Sequence, residues 1–256
     1  MTAAAPLRGA AARGLLLPAL LLAAWEAAYR LGLLDPRLLP APSLLLACLE
    51  REASDGRLWL NLGASLARDL AGFALGAAAG LLAGLLLGLW RGLDRLIGPS
   101  FHAWKQIAVF AWIPLISVWF GVGEAAKLVF VALAAFTPVV VNTHQGVRGI
   151  DRRHAEVARV FTLSPGRTLT RLILPAALPS IVTGLHLALI YAWLATVGAE
   201  YFMTVGPGIG GMMTEGRELF HMDVVLLGVL ILGVVGYALN HGGAAVEARL
   251  LRRHPP

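Results

Sequence analysis

Charge is scarce in this sequence. Asp, Glu, Lys and Arg make up 14% of its 256 residues, against about 25% in soluble chains. Cysteine is nearly absent: Cys48 stands alone, which excludes a disulfide scaffold and a cysteine-based zinc site. No G-x-x-x-x-G-K-[ST] occurs, so the chain does not hydrolyse ATP through a P-loop. H-E-x-x-H and the serine-hydrolase signatures are missing too, and no catalytic or metal-binding residue can be assigned. Hydrophobic residues, in contrast, reach 58%, against about 45–50% in soluble proteins. A globule of this composition could not cover itself with polar surface, and disorder needs the opposite balance. An integral membrane protein remains.

Charge-free windows run over Leu70–Trp90 (21 residues), Gln106–Gly123 (18), Leu128–Val147 (20), Leu172–Ala199 (28) and Val224–Val246 (23). Each approaches or exceeds the ~20 residues a helix needs to cross a hydrocarbon core. A sixth, Gly14–Leu34, is interrupted only by Glu26 and Arg30, an i,i+4 pair with the acid first. The windows are apolar all round, which fits helices and not the alternating strands of a barrel. The sequence therefore predicts an all-α integral membrane protein with six transmembrane helices. The first is expected to be retained, because no small-x-small cleavage site follows it.

With the N-terminus inside, the inner segments are the N-tail, 91–105, 144–171 and 247–256. They hold 14 of the 21 basic residues and only four of the 15 acids. Positive-inside sorting places both termini in the cytoplasm and accounts for the net charge of +6 without any nucleic acid. The outer stretch from Asp35 to Ser43 carries three prolines and must cross without helix. Ser43 is then expected to cap a short amphipathic helix ending near Gly56. Gly121–Glu124 predicts a tight hairpin between the third and fourth spans.

Gly72, Gly76, Gly80, Gly84 and Gly88 fall on one face of the second span. This small-residue stripe lets another helix approach closely, as a fixed packing groove or as a contact that slides during a transport cycle. The stretch from Gly206 to Gly211 matches G-x-G-x-x-G only formally, since no βαβ unit surrounds it; it reads as a flexible or re-entrant outer loop. His144, His186 and His241 lie in apolar windows and read as hydrogen-bonded interior side chains, with a pathway-lining role as the alternative for His186. Glu200 ends the fifth span near the outer surface. It is either functional, as acids at membrane depth tend to be, or a cap for the loop that follows.

The cytoplasmic segment from Asp151 to Pro179 is the most informative. Asp151 is a plausible N-cap. Val157, Val160 and Phe161 make one apolar face at helical spacing, Pro165-Gly166 makes a turn, and a second short helix follows. Such a face either docks in a partner's groove or lies on anionic lipid.

Here the sequence resembles the binding-protein-dependent permeases of ABC importers. Glu156-Val157-Ala158 stands for their E-A-A, Leu172 takes the hydrophobic position, and Leu174-Pro175 falls on L-P at the expected spacing. Val157 replaces the middle Ala, and Thr162 replaces the Gly. Leu39-Pro40-Ala41-Pro42-Ser43, Ala111-Trp112-Ile113-Pro114-Leu115, Trp119 to Glu124, Val147 to Asp151, and Ala199-Glu200 before a Gly-rich loop resemble the nitrate/sulfonate/taurine branch.

The resemblance implies a MetI-like permease core over 63–250, preceded by an N-tail, first helix and outer amphipathic segment over 1–62. It makes 144–179 the coupling loop. Glu156, Val157, Ala158, Val160, Phe161, Thr162, Pro165, Gly166, Leu174 and Pro175 would engage a separate cytoplasmic ATPase. It further implies two ATPase copies binding ATP and Mg, a second permease chain, identical to this one, and a periplasmic or lipid-anchored solute-binding protein. No cofactor is expected in this chain, which would lie in the lipid of a bacterial inner membrane. Sulfonates lead as substrate, with taurine, nitrate and thiamine-precursor pyrimidines behind. The alternative from another class is a stand-alone secondary transporter or channel, which would call for broken helices and charged midplane residues. An intramembrane enzyme lacks any nucleophile–base constellation.

Overall fold

The computed structural model describes residues 7–150, 162, 164–203 and 205–252, and no strand occurs among them. The helices are α1 (Leu7–Arg30), α2 (Pro42–Ser54), α3 (Arg57–Leu89), α4 (Arg91–Trp104), α5 (Ile113–Phe120), α6 (Glu124–Arg148), α7 (Pro165–Phe202), α8 (Ile209–Glu218) and α9 (Met222–Arg252). A 3₁₀ turn at Val109–Trp112 leads into α5, and a π turn at Leu169–Ile173 interrupts α7.

Four helices, α3, α6, α7 and α9, are long and apolar enough to cross a membrane. The window Gln106–Gly123 is not the straight span expected. Its residues form only a short helix, bent by 93° from α4, and the two pass the length test only together. The break falls at residues 105–108, which form no helix, and beyond the 3₁₀ turn Pro114 sits in the first turn of α5, where it starts a helix and cannot continue one. At the other end Gly121 takes φ +75° and makes the expected tight hairpin into α6. The second span also differs, since α3 starts at Arg57 and runs 33 residues. The charge-free window stopped at Asp69, although the helix carries buried charges beyond it.

The outer entry follows the prolines. Pro42 occupies the first turn of α2 and Ala41 is its N-cap residue. Ser43 does not cap the helix. Its hydroxyl donates to Glu26 Oε1 at 3.0 Å and its N–H to Glu26 Oε2 at 3.2 Å. The carboxylate on the preceding helix, α1, takes both donors of Ser43. Glu26 also pairs with Arg30 at 2.8 Å.

The centre of the bundle is built from small residues. α3 and α6 run parallel, so that Gly72, Gly76, Gly80, Gly84 and Gly88 meet Val131, Ala132/Ala135, Val139, Thr143 and Val147 in turn. A Cβ on any of the five would overlap these neighbours. α7 runs antiparallel to α6 and closes on it at Gly146 and Gly184, against Ser180 and Asn142. Ala134, Ala135, Ala188, Ala192, Ala195 and Ala199 fill the seam around Phe130 and Met203. Lipid is as apolar as the core, so this association rests on close van der Waals contact and not on water exclusion. Small residues maximise that contact.

Candidate functional site

Five ionisable side chains meet at the end of the bundle where α3, α6, α7 and α8 converge. Ser65, Arg68, Asp69 and Gly72 are all buried on α3, because spacings of three and four put them on one helix face. Arg68 is 3% exposed and its partner Glu200, on α7, is 1% exposed. The Arg68 guanidinium also forks onto Glu124, with Nε to Oε2 at 2.9 Å and Nη2 to Oε1 at 2.7 Å. This is the two-pronged geometry that Arg provides and Lys does not. Lys127, buried on α6, donates to the Val205 carbonyl and approaches Glu124 at 3.4 Å. Asp69 accepts from Thr196 at 3.3 Å.

The cluster clamps the glycine-rich loop. The Gly208 N–H donates to Asn61 Oδ1 at 2.8 Å, the Ile209 N–H to Ser65 Oγ at 3.0 Å, and the Gly210 N–H to Glu200 Oε2 at 2.9 Å. Ser65 Oγ donates in turn to Glu200 at 2.9 Å, and Arg68 donates to the Pro207 carbonyl at 3.1 Å. The first N–H groups of α8, which have no partner inside their helix, are thus satisfied by side chains, with a carboxylate at the positive end of the helix. Side chains at Gly208 or Gly210 would run into Glu200. The loop is pinned, and α8 tucks back into the bundle with Ile209, Met212, Met213 and Thr214 buried.

Glu200 is therefore one of five charges and not a lone acid. His186 lies elsewhere on α7. Its Nδ1 is 2.7 Å from Glu247 Oε2 and its Nε2 is 3.1 Å from Asn240 Oδ1, both on α9. Gly243 leaves room for the ring, and Thr183 completes the group by donating to Glu247 at 2.7 Å. The two residues singled out as pathway candidates thus occupy separate clusters, each tying α7 to a neighbouring helix. His144 faces Asp94 at 3.0 Å, and Arg148 reaches the same carboxylate at 2.7 Å, joining α4 to the C-terminal end of α6. Arg217 stacks on Tyr201 at 5.1 Å and donates to its hydroxyl at 2.6 Å. Among the described residues no three His, Cys, Asp or Glu side chains converge on a metal-sized site.

Of the coupling-loop residues, Glu156, Val157, Ala158, Val160 and Phe161 lie outside the described residues. Thr162 is exposed and adopts φ +48°, a left-handed backbone that glycine enters more readily than threonine. Pro165 and Gly166 open α7, and Leu174 and Pro175 follow its π turn.

Sequence reasoning missed Ser65, Arg68, Asp69, Glu124 and Lys127. The signal was present: Ser65, Arg68/Asp69 and Gly72 continue the glycine stripe outward in register. A search for charge-free windows discards such residues by construction.

Residues 76–253 match the model of a family described as the binding-protein-dependent transport system inner membrane component. The chain belongs to this family. A relative named as the aliphatic sulfonates transport permease protein SsuC is 36% identical in Bacillus subtilis (strain 168), over 94% of this chain and 87% of its own. Its namesake in Escherichia coli (strain K12) is 37% identical, over 93% and 90%. The taurine transport system permease protein TauC of Escherichia coli (strain K12) is 31% identical, over 92% and 87%. Among solved structures, the MetNI methionine ABC transporter in an inward-facing conformation superposes with a TM-score of 0.63 at 20% identity. It covers 75% of this chain and 96% of the matched one, which shows the fold. The permease resemblance read from the loop motifs and the MetI-like core is thereby shown, and the chain is a non-catalytic membrane subunit.

Proposed function

We propose that this chain is the permease of an ATP-driven importer for a small organic anion, an aliphatic sulfonate or taurine. The observation that carries the reading is the 36–37% identity over more than nine-tenths of the chain to two permeases named for aliphatic sulfonates. Six spans are then α1, α3, the bent α4–α5 pair, α6, α7 and α9, with both termini cytoplasmic. That arrangement puts the basic segments inside and the clamped glycine-rich loop outside. The boundaries 1–62 and 63–250 separate the outer entry segment from the permease core.

In this reading two identical copies enclose the pathway in a bacterial inner membrane. Two copies of a separate ATPase bind ATP and Mg, and a solute-binding protein delivers the anion. The segment 151–175 couples the two kinds of subunit. Glu156 meets the ATPase edge, Val157, Val160 and Phe161 fill its groove, and Pro165-Gly166 stiffens the exit. The pair Asp94–Arg148, at 2.7 Å, supports this, since it fastens the helix that enters the segment.

Mild-detergent purification of the tagged chain from its native membrane tests the assignment. A P-loop ATPase recovered at one copy per permease is expected, and Glu156→Arg should lose it while the permease stays folded. A chain that purifies alone and moves solute in ATP-free vesicles would overturn the reading in favour of a secondary carrier.

A further inference from the structure

The break between α4 and α5 lies level with the middle of α6. Trp104, the last residue of α4, packs edge-on against Phe136 with ring centroids 5.9 Å apart, and Phe136 is the midpoint of α6 (Glu124–Arg148). Lys105 therefore stands alongside the middle of a spanning helix. It is not in the cytoplasmic segment to which the charge count assigned it. Residues 105–108 are irregular here, and irregular backbone at membrane depth persists only where it is buried in protein or lines a water-filled cavity.

A cavity is present. About 390 Å³ open between the break, α6 and α7, and Lys105, Gln106, Thr137, Asn142 and Tyr191 bring polar groups to its wall. Trp104 and Trp112, 6.0 Å apart, supply an aromatic side. The volume lies within the roughly 300–1,000 Å³ range of small-molecule sites. No Asp or Glu lines the cavity, and Lys105 has no carboxylate within ion-pairing distance among the described residues. An ammonium at this depth without a counter-charge is costly. The buried cations among the described residues, Arg68 and Lys127, each face an acid, whereas the half-buried Lys105 does not. The missing negative charge is the feature a transported anion would supply.

We infer that this cavity is a mid-membrane resting site for the transported anion, with Lys105 as its counter-ion, the side-chain amides as further donors and the two tryptophans against the organic tail. The inference rests on the reading of the chain as an anion permease. The exposure of Gln106 and Tyr191 gives the cavity an opening, which would face the second copy across the pathway.

The test uses the complete transporter in vesicles, with uptake of ethanesulfonate, taurine, nitrate and bicarbonate measured beside co-purification of the ATPase. Lys105→Gln should lower uptake of the transported anion on the order of tenfold or more while the ATPase still co-purifies at one copy per permease, and Lys105→Arg should restore most of the uptake. If the wild-type complex transports none of the anions, the anion reading fails and takes the site with it. If it transports one and Lys105→Gln transports it equally well, the site alone is overturned. If Lys105→Gln does not assemble, Gln106→Cys decides: labelling by an anionic water-soluble thiol reagent, blocked by the transported anion, supports the site, and absence of labelling or of protection overturns it.

Discussion

Arg68 on α3 and Glu200 on α7, 132 residues apart in sequence, close into a buried ion pair at the end of the bundle where α8 packs. The pair does not stand alone. Glu200 caps α8 and Arg68 forks onto Glu124, so one contact sets the position of four helices. Removing Arg68 leaves the Glu200 carboxylate buried without its cation, which costs about 3–5 kcal/mol, whereas removing Glu200 leaves Arg68 its fork onto Glu124. Arg68→Ala is expected to lose stability of this order in detergent denaturation, and Glu200→Ala less. Arg68→Met/Glu200→Met should recover part of it, because no orphan charge remains. Equal losses in the single and double variants would contradict the account.

The glycine stripe makes a second prediction. Gly76→Val and Gly80→Val place side chains against the Ala132 and Phe136 carbonyls and Val139, where backbone cannot yield. Overpacking of this kind costs about 1–3 kcal/mol and should reduce the yield of folded chain. Gly63→Ala, on the same helix with nothing within 4 Å of its Cβ, should be neutral or slightly stabilising. The comparison is made by thermal denaturation of the purified chains, and equal behaviour of the three would argue against a close α3–α6 contact.

Cys48, on the outer helix α2, is 1% exposed. Burial, aided by the Asp223 carboxylate, pushes its thiol up to about 11. The folded chain should therefore resist maleimide at pH 8 and react fully in denaturant. The pH dependence follows in sign. A thiol held protonated in the folded chain favours folding below its unfolded value, near 8.5, and that contribution is lost as pH rises through about 11. Cys48→Ala should flatten the fall in stability across that window. Rapid labelling of the native chain at pH 8 would contradict the burial.

Trp193 on α7 donates to the Leu232 carbonyl of α9 at 3.1 Å, beside the seat that Gly236 leaves for the indole. Trp193→Phe removes the donor while keeping an aromatic ring, at an expected cost of about 0.5–1.5 kcal/mol. Gly236→Leu, which fills the seat, should cost more. The order of the two melting temperatures checks the assignment.

The apolar windows located α3, α6, α7 and α9, and the five-glycine register on α3 was legible because only one face of a helix repeats at four. The bent α4–α5 pair was not, since a charge-free window carries no record of direction and Pro114 reads equally as a start or a kink. The outer cluster was illegible for a different reason. Arg68 and Lys127 are neutralised by Glu124 and Glu200 across three helices, and a one-dimensional charge filter treats each as the end of a span. Ser43 shows the same limit on a small scale, because its capping signal was sound until Glu26 arrived from another helix. The coupling-loop reading rests on motif spacing, and Glu156 to Phe161 lie outside the described residues.

ATP-driven uptake by the reconstituted transporter tests the central claim most directly. The chain, its co-purifying ATPase and its solute-binding protein are placed in vesicles with ATP and Mg inside, and labelled ethanesulfonate is added outside. The account predicts uptake that requires ATP, the binding protein and an intact Glu156. Uptake that proceeds without ATP and follows an imposed ion gradient would contradict it.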